Sequence, residues 1–256
     1  MFPLQAHISE KFKGKIWKIE IDELNGLLFL EIRDENERKV AFGSVNLKTG
    51  AFNFKELVGF EPWLIGMEAA FNNVLLLHLY QSAASPQHKG IMAVNGLTGE
   101  TLWSNYNYCF DHITTRGPIG YDTRIEPRKL FLFDIQTGEI ISKIDKSDNT
   151  LNNKNIEYPT AIIPNFLPDY LFPKNTITKS VQYHTFNNYI IVSLHTFENE
   201  VLKHLIYVFA NNTIIYQDLL NDNIKKMQPE SFFLFESFLI YVKNNVELKV
   251  LSLLKL

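Results

Sequence analysis

The chain has 256 residues, of which 46% are hydrophobic, 13% aromatic and 21% charged. That is enough apolar material to bury roughly three quarters of the unfolded surface, and it lies well outside the range of disordered chains. A formal net charge of −3 gives no general basic field for nucleic acid or acidic membrane. A single cysteine, Cys109, excludes an intramolecular disulfide and a cysteine-based zinc site. No apolar run approaches the roughly 20 residues that cross a bilayer. The first residues show neither the basic nor the apolar region of a signal peptide, so the expectation is a soluble, cytoplasmic protein.

Residues 4–11 read as one separate strand, after which a unit repeats. Residues 16–22 and 27–32 flank Asn25-Gly26, a more apolar strand over 41–47 ends on Thr49-Gly50, and 51–57 form an outer strand. The second unit runs through 63–71, Asn72-Asn73 and 74–77, then 91–97 ending on Thr98-Gly99, then 100–106. The third has a second strand from Ile119, a third over 130–135 ending on Thr137-Gly138, and an outer strand over 139–144. An insertion over about 146–177 follows, with Pro159, Pro164, Pro168 and Pro173 set among large apolar groups. Proline stiffens it and its aromatics favour burial, so it should pack over a face or an outer sheet edge. The fourth unit takes 181–186, Asn187-Asn188, 189–192 and 205–212. The fifth takes 231–235, Glu236-Ser237, 238–242 and 248–253, with no outer strand of its own. Asparagine and glycine tolerate positive φ, which is what tight hairpin turns need.

Second strands begin at Leu27, Val74, Ile119, Tyr189 and Phe238. Their spacings of about 47, 45, 70 and 49 residues match four-stranded propeller blades once an insertion of about 23 residues is set aside. The expected fold class is all-β: a single five-bladed β-propeller over 1–256, in which residues 4–11 pair with the last blade and remove an open sheet edge. Helical periodicity is confined to residues 221–227, just before Pro229.

The stretch from Gly90 to Trp103, with Thr98-Gly99 at its centre, resembles the repeat of quinoprotein-type β-propellers, in which a strand ends at Asp-x-x-Thr-Gly and an outer strand follows carrying Trp. Asp134 and Gly138 fit that pattern, Asn46 and Asn95 replace its Asp, and Trp103 keeps the aromatic. The resemblance implies a fold of the propeller repeat superfamily rather than an activity. The chain also looks like an uncharacterised bacterial family of about this length.

In such a fold the second-to-third and blade-to-blade connections share a face, and the loops at 34–38, 81–89, 197–202 and 146–177 are long enough to carry binding there. The arginine clusters at 33–39 and 124–129 echo each other on that face, where guanidinium forks could hold a carboxylate or phosphate. The interleaved acids equally allow them to pair among themselves. The candidate ligand or partner face is Arg33, Arg38, Glu61, Trp63, Asp111, His112, Arg124, Arg128, Tyr170 and His184. Seven histidines occur without metal-ligand spacing, and His78, in an apolar strand, reads as a core residue. No metal, cofactor or catalytic set is expected, and nucleophile-elbow, phosphate-loop and dinucleotide motifs are absent. The expected role is a non-catalytic binding or interaction scaffold for a protein or small-molecule ligand, without nucleic acid or membrane. The alternative is a carbohydrate-active hydrolase. Five-bladed propellers of the arabinanase and invertase type place three carboxylates on inner strands, and Glu20, Asp22, Glu61, Glu68, Asp111 and Asp122 are the acids near such positions.

Overall fold

The structure, a computed structural model, describes residues 4–144, 151, 155–163, 168, 171, 176, 180–227 and 231–254. The fold class is all-β. Five consecutive antiparallel sheets carry the strand order of a five-bladed β-propeller, and the N-terminal strand, β1 (Ala6–Lys11), completes the last of them. No α-helix occurs among the described residues, and 221–227 form the end of a strand and bends. By its contacts the chain divides into two compact units, Lys13–Asn153 and Met1–Phe12 with Lys154–Leu256.

Three four-stranded meanders build Lys13–Asn153. The first runs β2 (Lys15–Asp22), β3 (Leu27–Asp34), β4 (Lys39–Asn46) and β5 (Phe52–Val58). The second runs β6 (Ile65–Phe71), β7 (Val74–Ser82), β8 (Ser85–Asn95) and β9 (Thr101–Asn105). The third runs β10 (Tyr108–Thr114), β11 (Gly117–Asp122), β12 (Leu130–Phe133) and β13 (Ile140–Ile144). The middle strands are apolar nearly throughout and are buried on both faces, with Leu27, Phe29, Phe42, Met67, Leu75 and Val94 in one continuous core.

The Thr-Gly repeat has a clear mechanism. Asn46 Oδ1 accepts the amides of Lys48 and Thr49, Asn95 Oδ1 those of Leu97 and Thr98, and Asp134 Oδ1 those of Gln136 and Thr137, all at 2.8 to 3.1 Å. Asn substitutes for Asp because only an acceptor oxygen is used. Each turn ends in glycine at φ +71 to +77. At Gly138 a second constraint applies: a Cβ there would collide with the Trp103 ring, whose Nε1 donates to the Ile135 carbonyl at 2.9 Å. The outer strand of the second sheet is thereby pinned onto the turn of the third.

The other unit holds two five-stranded sheets. Short strands β14 (Ile156–Glu157) and β15 (Thr160–Ile162) come from the insertion. β15 leads into β16 (Val181–Phe186), β17 (Tyr189–Glu198), β18 (Val201–Ala210) and β19 (Thr213–Asn221). The last sheet runs β14, β20 (Phe233–Phe235), β21 (Phe238–Lys243), β22 (Glu247–Ser252) and finally β1, which pairs antiparallel with β22 from Ala6↔Leu251 to Lys11↔Glu247. The Phe12 amide extends the ladder to the Val246 carbonyl at 2.8 Å.

In the described part of the insertion, β14 and β15 pair with β20 and β16, the first strands of the two sheets, whose unpaired backbone groups they satisfy. One expectation is corrected: 81–89 and 197–202 are not long loops. β7–β8 and β17–β18 are extended hairpins that turn in two residues, Ala83-Ala84 and Asn199-Glu200, the latter pair at φ +51 and +65. The polar residues there lie along strand arms rather than fill a loop.

Candidate functional site

The first cleft encloses about 330 Å³ and is lined by Arg33, Trp63, Leu64, Tyr80 and the hairpin tip Ser82–Pro86. Arg33 does not lie in a connection as expected. It belongs to β3 and is 8% exposed. Its Nε donates to Glu31 Oε1 at 2.6 Å, Nη1 to the Trp63 carbonyl at 3.2 Å and Nη2 to the Ile65 carbonyl at 2.7 Å. Glu31 Oε2 in turn accepts the Met67 amide at 2.8 Å, so the pair clips the first sheet to the second. The rings of Trp17, Trp63 and Tyr80 surround the guanidinium carbon at 5.8, 5.3 and 5.8 Å. Trp17 is exposed, because a bulge between Ile16 and Lys18 takes it out of register. Arg38, at φ +49 in the β3–β4 turn, is exposed and lies 5.9 Å from the Trp63 ring. Glu61 accepts the amides of Trp63 and Leu64, both at 3.1 Å, and so shapes the turn that presents Trp63. Four of the residues singled out from the sequence, Arg33, Arg38, Glu61 and Trp63, thus come together.

A second cleft of about 300 Å³ is lined by residues of three first strands: Glu20 and Ile21 of β2, Glu68 to Ala70 of β6, and Phe110 to Ile113 of β10, with Leu151. Lys18 organises one wall. Its Nζ pairs with Glu20 Oε1 at 2.9 Å and donates to the carbonyls of Met67 and Glu68 at 2.9 and 3.2 Å. Burial raises the Glu20 carboxyl above its ordinary range against the opposing pull of Lys18. Asp111 Oδ2 lies 2.7 Å from His112 Nδ1, and Arg128 reaches Asp111 Oδ1 at 3.4 Å while stacking on Tyr121 at 3.8 Å. The remaining candidate acids are not in this cleft. Asp22 accepts from Leu24, Asn25 and the Asn73 amide, and Asp122 is held by Arg124 through contacts of 2.8 and 2.6 Å.

Beside this cleft Glu68 meets two histidines. Its Oε1 is 2.7 Å from His88 Nδ1 and 3.2 Å from His78 Nδ1, and the two imidazoles stack at 3.5 Å with planes 7° apart. Burial pushes the Glu68 carboxyl up, but the adjoining imidazoles outweigh it and hold it below the usual carboxylate range. His78 is buried and its two ring nitrogens make no aligned hydrogen bond, although Nδ1 sits within ion-pair distance of Glu68. Tyr80 packs edge-on against both rings, and the Cys109 thiol donates to the His88 carbonyl at 3.1 Å.

The other singled-out residues lie apart from these clusters. In the second unit His184 Nε2 is 3.1 Å from Glu157 Oε2, which ties β16 to the inserted β14 segment. Tyr170 lies outside the described residues. Ser193 Oγ and His204 Nε2 are 2.7 Å apart, the geometry of a nucleophile and its base, yet both residues are 1% exposed and the pair serves the interior.

Sequence reading missed the His78–His88 pairing because the ten-residue separation matches no ligand spacing; hairpin register creates it. A glutamate and a histidine placed inside otherwise apolar strands, Glu68 in β6 and His78 in β7, were the available signal.

No curated protein matches the sequence. Among solved structures the chain is similar to Chaetomium thermophilum Raptor, at 9% identity over 98% of this chain and 29% of that one, with a TM-score of 0.40. It is also similar to the β-propeller domain of the Trilobed protease from Pyrococcus furiosus, at 11% identity over 91% and 65%, TM-score 0.33. A third similarity is to prolyl endopeptidase, at 8% identity over 93% and 35%, TM-score 0.37. The chain therefore spans less than two thirds of each of these chains. Residues 21–103, about a third of the chain and the part that carries Arg33, Trp63, Glu68, His78 and His88, match the family described as Domain of unknown function (DUF4905).

Proposed function

We propose that the protein is a non-catalytic interaction module that takes an extended, acidic and apolar segment of a protein partner in the cleft lined by Trp63 and Tyr80, with Trp17 and Arg38 close to Arg33 and Trp63. The observation that carries this reading is the convergence of three aromatic rings on Arg33, beside the exposed Arg38. Trp, Tyr and Arg are the side chains that dominate binding energy at protein interfaces. Arg33 is neutralised by Glu31 and fixed by two carbonyls, so it holds the rings in place. Arg38 is left to attract a carboxylate. The test is panning of a phage-displayed random peptide library on the whole protein. Enriched peptides should combine Asp or Glu with apolar residues, and should lose at least about tenfold in affinity on Trp63→Ala and on Arg38→Glu. Absence of enrichment, or peptides indifferent to both substitutions, overturns the reading.

A second reading is favoured by one observation: Glu20, Glu68 and Asp111, from three successive first strands, line one cleft. Paired carboxylates flanking a sugar are the machinery of glycoside hydrolysis. Release of nitrophenol from a panel of 4-nitrophenyl glycosides, lost in Glu20→Gln and Asp111→Asn, would replace the interaction module with this hydrolase. Inactivity across the panel removes it.

A further inference from the structure

We propose that Glu68, His78 and His88 form a binding site for one divalent transition-metal ion of the zinc type. Among the described residues these three offer donor atoms that all lie within 4.8 Å of one another. One carboxylate oxygen, Glu68 Oε1, faces both Nδ1 atoms, at 2.7 and 3.2 Å. Zinc sits about 2.0 to 2.2 Å from imidazole nitrogen and carboxylate oxygen, so its ligand atoms end up roughly 3 to 3.5 Å apart. The donor atoms need to move only a few tenths of an ångström outward from Glu68, with the two stacked rings splaying as they turn toward the ion. His88 has the freedom to do so, because its side chain is 37% exposed, and that exposure also gives an ion its way in.

Three features of the fold favour a built site over a chance meeting. Glu68 is the extra residue of a bulge in β6, between Met67 and Ala69, which re-aims a carboxylate from an otherwise apolar strand toward the histidines. The β7–β8 register also breaks between Leu77 and Leu79, at His78, opposite a stretch containing Gly90 at φ +72. These irregularities bring residues ten apart in sequence into stacking contact. Finally, His78 is 2% exposed and neither of its ring nitrogens has an aligned hydrogen bond. Buried imidazole nitrogens are ordinarily satisfied, and one left without a partner is costly. A metal on Nδ1 satisfies it. Nε2 lies against the Gly66 backbone, where a Cβ would come within 2.9 Å of it.

The donor set predicts the class of ion. Two imidazoles and one carboxylate, with no thiolate, suit Zn²⁺, Co²⁺ or Ni²⁺ rather than the hard, all-oxygen preference of Mg²⁺ or Ca²⁺. Three protein ligands leave a fourth position for water or for a donor atom of a bound molecule. Glu68 also lines the cleft that carries Glu20, Asp111 and His112, which puts the ion at the wall of a polar cavity. This inference is independent of the partner-binding reading, which rests on the other cleft.

The test uses the full chain, treated with chelator and dialysed, then titrated calorimetrically with ZnCl₂ and followed optically with CoCl₂. One Zn²⁺ should bind per chain. Co²⁺ should give the intense visible bands of a four-coordinate ion, and Zn²⁺ should raise the melting temperature. His88→Ala and Glu68→Gln should each weaken Zn²⁺ binding by at least about tenfold and abolish the Co²⁺ bands, whereas His7→Ala should change neither. His78→Ala empties a buried site and confounds binding with folding, so His88→Ala, at a partly exposed side chain and with its fold checked by circular dichroism, decides the matter. Binding of wild type weaker than about 1 mM, or equal binding by His88→Ala, overturns the proposal.

Discussion

Arg33 Nε donates to Glu31 Oε1 at 2.6 Å, and both side chains are almost wholly withdrawn from water. Removing one partner strands a buried charge, which costs far more than the pair itself is worth. Arg33→Met should therefore lower the unfolding free energy by about 3 to 5 kcal/mol. Adding Glu31→Leu should recover part of the loss, but not all, because the Trp63 and Ile65 carbonyls and the Met67 amide remain without their partners. Urea denaturation of the two variants measures both quantities.

Gly138 stands at φ +72 against the Trp103 ring. Alanine there meets left-handed strain and a steric clash together, for an expected loss of about 2 to 4 kcal/mol. In a Trp103→Ala background the clash disappears and only the strain is left. The same Gly138→Ala change should then cost about 1 to 2 kcal/mol. A double-mutant cycle in thermal unfolding separates the terms.

Closure by the N-terminal strand predicts that deleting residues 1–11 destabilises the protein. Ile8, 4% exposed, leaves its core site, and the β22 edge loses its ladder. Ile8→Ala alone should cost about 2 to 5 kcal/mol. A melting temperature unchanged by the deletion would show that β1 contributes nothing.

Hydrogen bonds from the Arg124 side chain and backbone hold the Asp122 carboxyl down at about 2. The depressed value means the ionised form is favoured by folding. That contribution is complete above the ordinary carboxylate range of roughly 3.9 and is lost as pH falls toward about 2. Arg124→Ala should move the Asp122 titration, followed by carboxyl carbon NMR, up toward the ordinary range but not all the way, because the backbone amide of residue 124 still donates to it. An unmoved midpoint would assign the shift to something other than the guanidinium.

The blade repeat was legible because each unit carries its own turn chemistry. Asn72-Asn73 and Thr98-Gly99 encode positive φ locally, and no distant residue is needed to read them. Arg33 was misread for the opposite reason. Its environment is made by Trp63, Ile65 and Tyr80 of the next sheet, some thirty or more positions away, and the sequence alone makes a strand-end arginine next to acids look like a solvated turn. The hairpin arm of β7–β8 was hidden by its polarity, since exposed strand arms need no apolar face. Glu68, His78 and His88 were individually visible, but the bulges that join them are set by pairing register, which composition does not encode.

The contact between Ser9 and Glu247 spans 238 residues of sequence, and it lies in the ladder that joins β1 to β22. At the roughly 5 to 20 residues per second of ribosomal elongation, β1 waits about 10 to 50 s for β22. Until then β1 lacks its partner strand and Ile8 lacks its core site, open to chaperones or to a neighbouring nascent chain. Assembly of this sheet therefore has to await the synthesis of β22.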